Sequence, residues 1–201
     1  MNIKKFTILL IALTVASLSL IYFTREKSIV YNYVSGDGHI YRGQLLHPHW
    51  HYQLITLSKR VCWLHSTLYG NIKMEKDLEQ MINDAEQDGK CIVVMSAFRN
   101  KEAQQLLYNS IEDKEFVALP MESEHQTGFA IDITACPMNK DGVRDDSVQR
   151  LELRQPFDEL EEYTWMQKNA YKYNFEESFT EYNQSITGFS AEPWHWKYTI
   201  N

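Results

Sequence analysis

Apolar and polar positions alternate differently in successive parts of this chain. Phe6–Phe23 is an unbroken run of 18 apolar or hydroxyl residues, with Lys4 and Lys5 before it and Arg25, Glu26 and Lys27 after it. As a helix the run reaches about 27 Å, enough to cross a bilayer core. It has no polar face, which sets it apart from a helix packed on a domain surface. Ala16-Ser17-Leu18-Ser19 offers small residues, but inside the run rather than after it, where a signal cleavage site would lie. An uncleaved transmembrane helix is therefore expected over residues 1–27, with a cleaved signal as the alternative. Lysines flank both ends, so charge asymmetry says little about orientation.

Residues 28–43 read as linker, with a turn at Ser35-Gly36-Asp37-Gly38. From Met74 the pattern becomes helical. Met74, Leu78, Met81, Ile82 and Ala85 share one face, and Gly89 offers a stop. Cys91–Phe98 is a short β-branched apolar run, the mark of a buried strand. It delivers Ser96 and Arg99 to its C-terminal end. Residues 100–110 form a second helix with Asn100 as cap and Glu102 in the first turn. Residues 112–121 read as a loop. Phe129–Thr134 is a strand with Ile131 and Ile133 on one side and Ala130, Asp132 and Thr134 on the other. The polar stretch 136–157 reads as an exposed excursion. A third helix is expected over 158–173, with Trp165 in the core or at a cleft. A last strand follows Pro193, in which His195 and Lys197 alternate with Trp194, Trp196 and Tyr198.

Composition fits a globular protein: 44% hydrophobic and 13% aromatic residues over 201 positions, enough for one core. The net charge of −7 argues against nucleic acid as a partner. Without the four basic and one acidic residues of positions 1–27 it falls to −10. The three cysteines, Cys62, Cys91 and Cys136, include no CxxC pair, so a zinc-cysteine site is not expected. Cys91 reads as a buried small hydrophobe, and a disulfide, if present, is placed between Cys62 and one of the others.

Chemistry concentrates in Glu122–Thr134. His125 and Asp132 are seven residues apart, separated by the turn residue Gly128 and an apolar run. A lone aspartate in an apolar strand is costly unless paired or metal-bound. A catalytic zinc ion takes three protein ligands and an open position. Near the C-terminus, Glu192-Pro193-Trp194-His195 supplies a second histidine and a glutamate free to move protons. His47, His49 and His51 alternate and form a competing metal-binding candidate, though polar surface groups are the simpler reading and no carboxylate lies near them in sequence. Arg99, at the tip of a buried strand, either forms a structural salt bridge or grips a carboxylate through two parallel hydrogen bonds.

Three motifs carry a resemblance. Ser96-Ala97-Phe98-Arg99 is similar to S-G-Y-R. Ser123 to Asp132 is similar to S-E-H-Q-T-G-x-A-x-D. Glu192–His195 matches E-P-W-H. Together they resemble the VanY-type D-alanyl-D-alanine carboxypeptidases, zinc enzymes of the bacterial cell wall, from about residue 74 onward. The resemblance implies one zinc ion held by His125, Asp132 and His195, with Glu192 as general base and then acid. Arg99 would stabilise developing negative charge or grip the terminal carboxylate. Ser123 and Gln104 are similar to positions that bind the substrate terminus. Zinc would acidify water and polarise the scissile carbonyl.

The implied fold is a single α+β domain over 74–201. A small antiparallel sheet carries the zinc site between flanking helices, behind residues 28–73 as linker and the N-terminal transmembrane helix. The implied partner is a peptidoglycan stem peptide or lipid-linked precursor ending in D-Ala. The chain is expected to be a monomer at the cell membrane with its catalytic domain outside. Rival readings are an L,D-carboxypeptidase, a free-dipeptide hydrolase and a zinc-containing cell-wall binding module without catalysis. Ala97 and Phe98 depart from the first motif. Glu176 and Glu177 stand where relatives often have a basic residue, which would alter the charge of the cleft.

Overall fold

The computed structural model describes residues 53–62, 66–137, 144 and 156–199. The apolar run at 6–23, the histidines at 39, 47, 49 and 51, and most of the excursion at 136–157 lie outside these residues. Among the described residues no helix is long and apolar enough to cross a membrane.

Two short strands come first, β1 (Leu54–Thr56) and β2 (Tyr69–Asn71), paired antiparallel. Helix α1 (Glu75–Gln87) buries Leu78, Met81, Ile82 and Ala85, the face that the apolar spacing predicts. Strand β3 (Ile92–Ser96) follows. Next is α2 (Lys101–Ser110), whose Asn100 side chain caps the backbone N–H of Ala103 at 2.8 Å. Strand β4 (Ala130–Ala135) comes after the loop. The third predicted helix is shorter than its pattern suggests. Helix α3 spans Glu161–Asn169, with 3-10 turns at Phe157–Glu159 and Ala170–Tyr173 on either side. The chain turns at Asn174, in the left-handed region, into β5 (Phe175–Glu177). A helical turn, α4 (Gln184–Thr187), precedes β6 (His195–Tyr198).

The main sheet is antiparallel with order β3-β4-β6-β5. Its two faces differ because side chains alternate along each strand. Val94, Ile131, Ile133, Phe175 and Trp196 join one core with Leu78, Met81 and Ile82 of α1 and Trp165 and Met166 of α3. Trp165 is thus a core residue, with its indole N–H bonded to Asp88 at 2.8 Å. The opposite face presents Ser96, Asp132 and His195, which are register partners across three strands. Residues ahead of α1 pack into the same unit. Val61 accepts a backbone hydrogen bond from Val94, Tyr69 from Phe98, and Asn71 donates one to Gly128.

The cysteine expectation needs correction. Cys91 and Cys136 form a disulfide, and Cys62 is a free, buried thiol. The register explains this. Ile92 pairs with Ala135, so the next pair outward places Cys91 opposite Cys136, with Cα atoms 5.2 Å apart.

Candidate metal centre

The segment from Ser123 to Asp132 reverses direction in six residues. A 3-10 turn over Glu124–Thr127 ends at Gly128, whose φ is +77°. A residue with a Cβ is strained there, and that Cβ would lie 2.8 Å from the Leu54 side chain. The reversal brings His125 back over β4. The β4–β6 register sets His195 directly beside Asp132.

The three predicted ligands meet. Their ligand atoms lie within 4.8 Å of one another, and all three residues are buried. Asp132 Oδ1 is 3.2 Å from His125 Nε2 and 3.2 Å from His195 Nδ1. The rings meet nearly edge to face, with centroids 4.9 Å apart. Bonds of about 2.0–2.1 Å at tetrahedral angles put neighbouring ligand atoms about 3.3 Å apart.

The outer ring atoms decide which nitrogens are free. His125 Nδ1 lies 2.7 Å from the Ala97 carbonyl oxygen, which can only accept. His195 Nε2 lies 2.9 Å from Glu124 Oε2. Each ring therefore donates outward, and in the neutral form each turns a bare nitrogen toward Asp132. Two lone pairs and a carboxylate facing one another require a positive charge among them. The donor set thus fits a divalent cation, with outer hydrogen bonds of the kind that orient ligating histidines.

Electrostatics agree. Burial lowers the basicity of His195, but its bonds to Asp132 and Glu124 outweigh this and push its pKa up to about 10. Burial dominates at His125 and lowers it, against Asp132. Burial alone would raise Asp132, yet the two histidines hold its carboxyl far below the usual range. The cluster is built to keep a positive charge, supplied by a proton or by a metal that displaces it.

Glu192 stays off the cluster. Its Oε2 is 4.0 Å from His195 Nδ1. Burial pushes its pKa up to about 7, a rise that His195 opposes and Asp132 and Glu124 reinforce. A buried carboxyl near neutrality suits proton transfer. Arg99 donates to Gln104 Oε1 at 2.7 Å and to Ser96 Oγ at 3.1 Å, and it lies 4.0 Å from Asp132 Oδ2. Gln104 is buried, and its amide N–H₂ donates to the Ala118 carbonyl, so both its ends are held. Gln104 therefore fixes the Arg99 guanidinium. Ser123 is buried on the same wall.

Two cavities flank the cluster. The inner one, about 320 Å³, is lined by Arg99, Gln104, Ser123, His125, Glu192 and His195, among others. The outer one, about 840 Å³, shares Phe116, Asp132 and Trp194 with it and is walled by Tyr163, Glu177 and Tyr182. Of the two unusual glutamates, only Glu177 lines this outer cleft. Tyr163 donates to it at 3.0 Å, and burial pushes its carboxyl up to about 7. Glu176 points to the other face of β5, toward Lys197.

The family model for VanY, D-alanyl-D-alanine carboxypeptidase, matches residues 68–201. This chain belongs to that family. A D-alanyl-D-alanine carboxypeptidase of Enterococcus faecalis is 30% identical over 144 residues, covering 64% of this chain and 47% of the relative. The structure of VanYB in complex with D-alanine-D-alanine is similar at a TM-score of 0.61 and 25% identity, over 81% of this chain and 85% of the other. The LdcB LD-carboxypeptidase is similar at 0.60 and 25%, over 85% and 86%. The chain spans about half the length of the curated relatives it matches.

The sequence reading missed Glu124. It lies within the second motif, but nothing local assigns it a partner 71 positions away. A signal did exist. Lys197 shares a strand face with His195, and a lysine buried there requires a carboxylate nearby.

Proposed function

We propose that this protein is a zinc-dependent carboxypeptidase that removes the C-terminal D-alanine from peptidoglycan stem peptides or their lipid-linked precursors. The observation that carries this reading is a single cavity with a buried His-Asp-His cluster, an unligated Glu192 and the Arg99 guanidinium on its walls. His125, Asp132 and His195 hold the ion. Zinc, when bound, supplies a Lewis acid that polarises the scissile carbonyl and lowers the pKa of water. Glu192 takes a proton from the attacking water and delivers it to the leaving amine. Arg99, held by Gln104 and Ser96, grips the terminal carboxylate of the substrate, with Ser123 beside it. The inner cavity takes the departing residue. The outer cleft takes the upstream peptide.

Several features support an extracytoplasmic setting. The disulfide belongs to an oxidising compartment, and the apolar run at 6–23 would anchor the chain to the membrane with residues 74–201 outside as the catalytic domain. The chain would act as a monomer. Loss of terminal D-alanine removes the target of glycopeptide antibiotics, so the protein would contribute to resistance.

The test follows D-alanine release from a pentapeptide ending in D-Ala-D-Ala, with zinc present and a Glu192→Ala variant alongside. Release by the parent and its loss in a variant that still binds zinc is expected. The similarity to LdcB makes an L,D-carboxypeptidase the second reading, which release from a tetrapeptide alone would establish. Zinc and muropeptide binding without any release would instead identify a binding module.

A further inference from the structure

Glu124 is the least accessible carboxylate near the cluster, with a side chain 1% exposed, and the reaction as described does not use it. Its Oε2 meets His195 Nε2 at 2.9 Å and accepts from Ser178 Oγ at 2.5 Å. The contact is on the far side of the imidazole from Asp132, which meets Nδ1. Glu124 is thus behind the ring and not a fourth ligand. Its charge is balanced from β6. Lys197 lies two residues beyond His195, on the same strand face, with Nζ 3.9 Å from Glu124 Oε1 and 3.2 Å from Glu176 Oε1 on β5. The Lys197 side chain is 6% exposed. A carboxylate and an ammonium this deep are costly to desolvate. Such a pair needs a compensating role.

We infer that Glu124 is a positioning residue for the metal centre. It fixes His195 as the tautomer with a proton on Nε2 and a free Nδ1 turned to the metal, while Lys197, itself near Glu176, and Ser178 hold Glu124 in place behind the ring. This rests on the metal reading above and deepens it. The two histidines are supported unequally. His125 leans on a neutral carbonyl, which fixes its tautomer without adding charge. His195 leans on a carboxylate, which makes its free nitrogen a stronger electron donor. Ser178 occupies the remaining lone pair on Oε2, so the carboxylate cannot swing away from the ring. Strand β6 pairs on one side with β4, which sets His195 beside Asp132, and on the other with β5, which sets Lys197 beside Glu176, so ligand and support are carried by one strand.

The test uses Glu124→Gln in the full chain. Its amide can turn an N–H toward His195 and favour the wrong tautomer. Zinc affinity is measured by chelator competition, and the cobalt-substituted protein is examined by visible absorption. The zinc dissociation constant is expected to rise about 10–100-fold, with a shifted cobalt band and an unchanged far-UV circular dichroism spectrum. Affinity within twofold of the parent and an unshifted band would overturn the inference and leave Glu124 as a partner of Lys197 alone. If Glu124→Gln does not fold, the double variant Glu124→Gln/Lys197→Met removes both charges together. It should show the same loss of zinc affinity, and parental affinity in it would equally overturn the inference. A parent chain that binds no zinc would instead refute the metal reading, before Glu124 is tested.

Discussion

Glu192 combines burial with distance from the ligand atoms, and the combination fixes its pH behaviour. Its pKa, raised to about 7, means that below that range the carboxyl is protonated and cannot accept a proton from water. Above it the carboxylate is ready as a base. Bound zinc adds positive charge nearby and pulls the transition lower. The profile of kcat/KM should therefore rise with pH along an acid limb between the ordinary carboxylate range and about 7. A profile flat down to pH 4 would remove Glu192 from the base role. Arg99 invites a sharper experiment. Its guanidinium is held by Gln104 and Ser96, so a lysine there loses the paired donors as well as that support. Arg99→Lys should lower kcat/KM about 10–100-fold for a peptide with a free terminal carboxylate. An equal loss for the amidated peptide, in kcat and not KM, would mean that the arginine acts on developing charge instead.

At the scale of elements, the turn between Glu124 and Gly128 controls the geometry of the ligands. It converts a seven-residue spacing into a contact of 3.2 Å between His125 and Asp132. Gly128 permits this through a positive φ, and its carbonyl accepts from Asn71 on β2. Gly128→Ala should cost about 1–3 kcal/mol in urea denaturation from the strained backbone, with weaker metal binding as His125 shifts. Strand β6 has the opposite character. Its alternation divides His195 and Lys197 from Trp196 and Tyr198, and this division was legible in the sequence. So were the cap at Asn100, the apolar face of α1 and the placement of Asp132 opposite the isoleucines. Each depends on residues within one or two turns. The splitting of the third helix was not legible. Its aromatic pattern runs on through Tyr173, while the chain tightens into a 3-10 turn and reverses at Asn174 to build β5.

For the molecule as a whole, the sheet separates two tasks. One face packs against α1 and α3, and the other carries the cluster with the inner cavity, while the outer cavity runs from Asp132 to Tyr163 of α3. The Cys91–Cys136 disulfide ties the β3–β4 pair at the end away from the cluster and closes a loop of 45 residues. Cys136→Ser should lower stability by about 2–4 kcal/mol, read from guanidinium unfolding with and without reductant. Reduction of the parent should reproduce the loss.

The sequence by itself singled out His125, Asp132, His195, Glu192 and Arg99 as site candidates and laid out most of the elements that carry them. The elements follow from residue type and periodicity, which local sterics and burial enforce, and the site candidates from residue type together with the resemblance of the three motifs. Only the tertiary structure decided that Cys91 bonds to Cys136, that Glu124 supports His195, and that Glu177 faces the cleft while Glu176 faces Lys197. Those outcomes depend on strand register and packing between segments 21 to 71 residues apart, and register is set by packing across the whole sheet rather than by any neighbour in sequence.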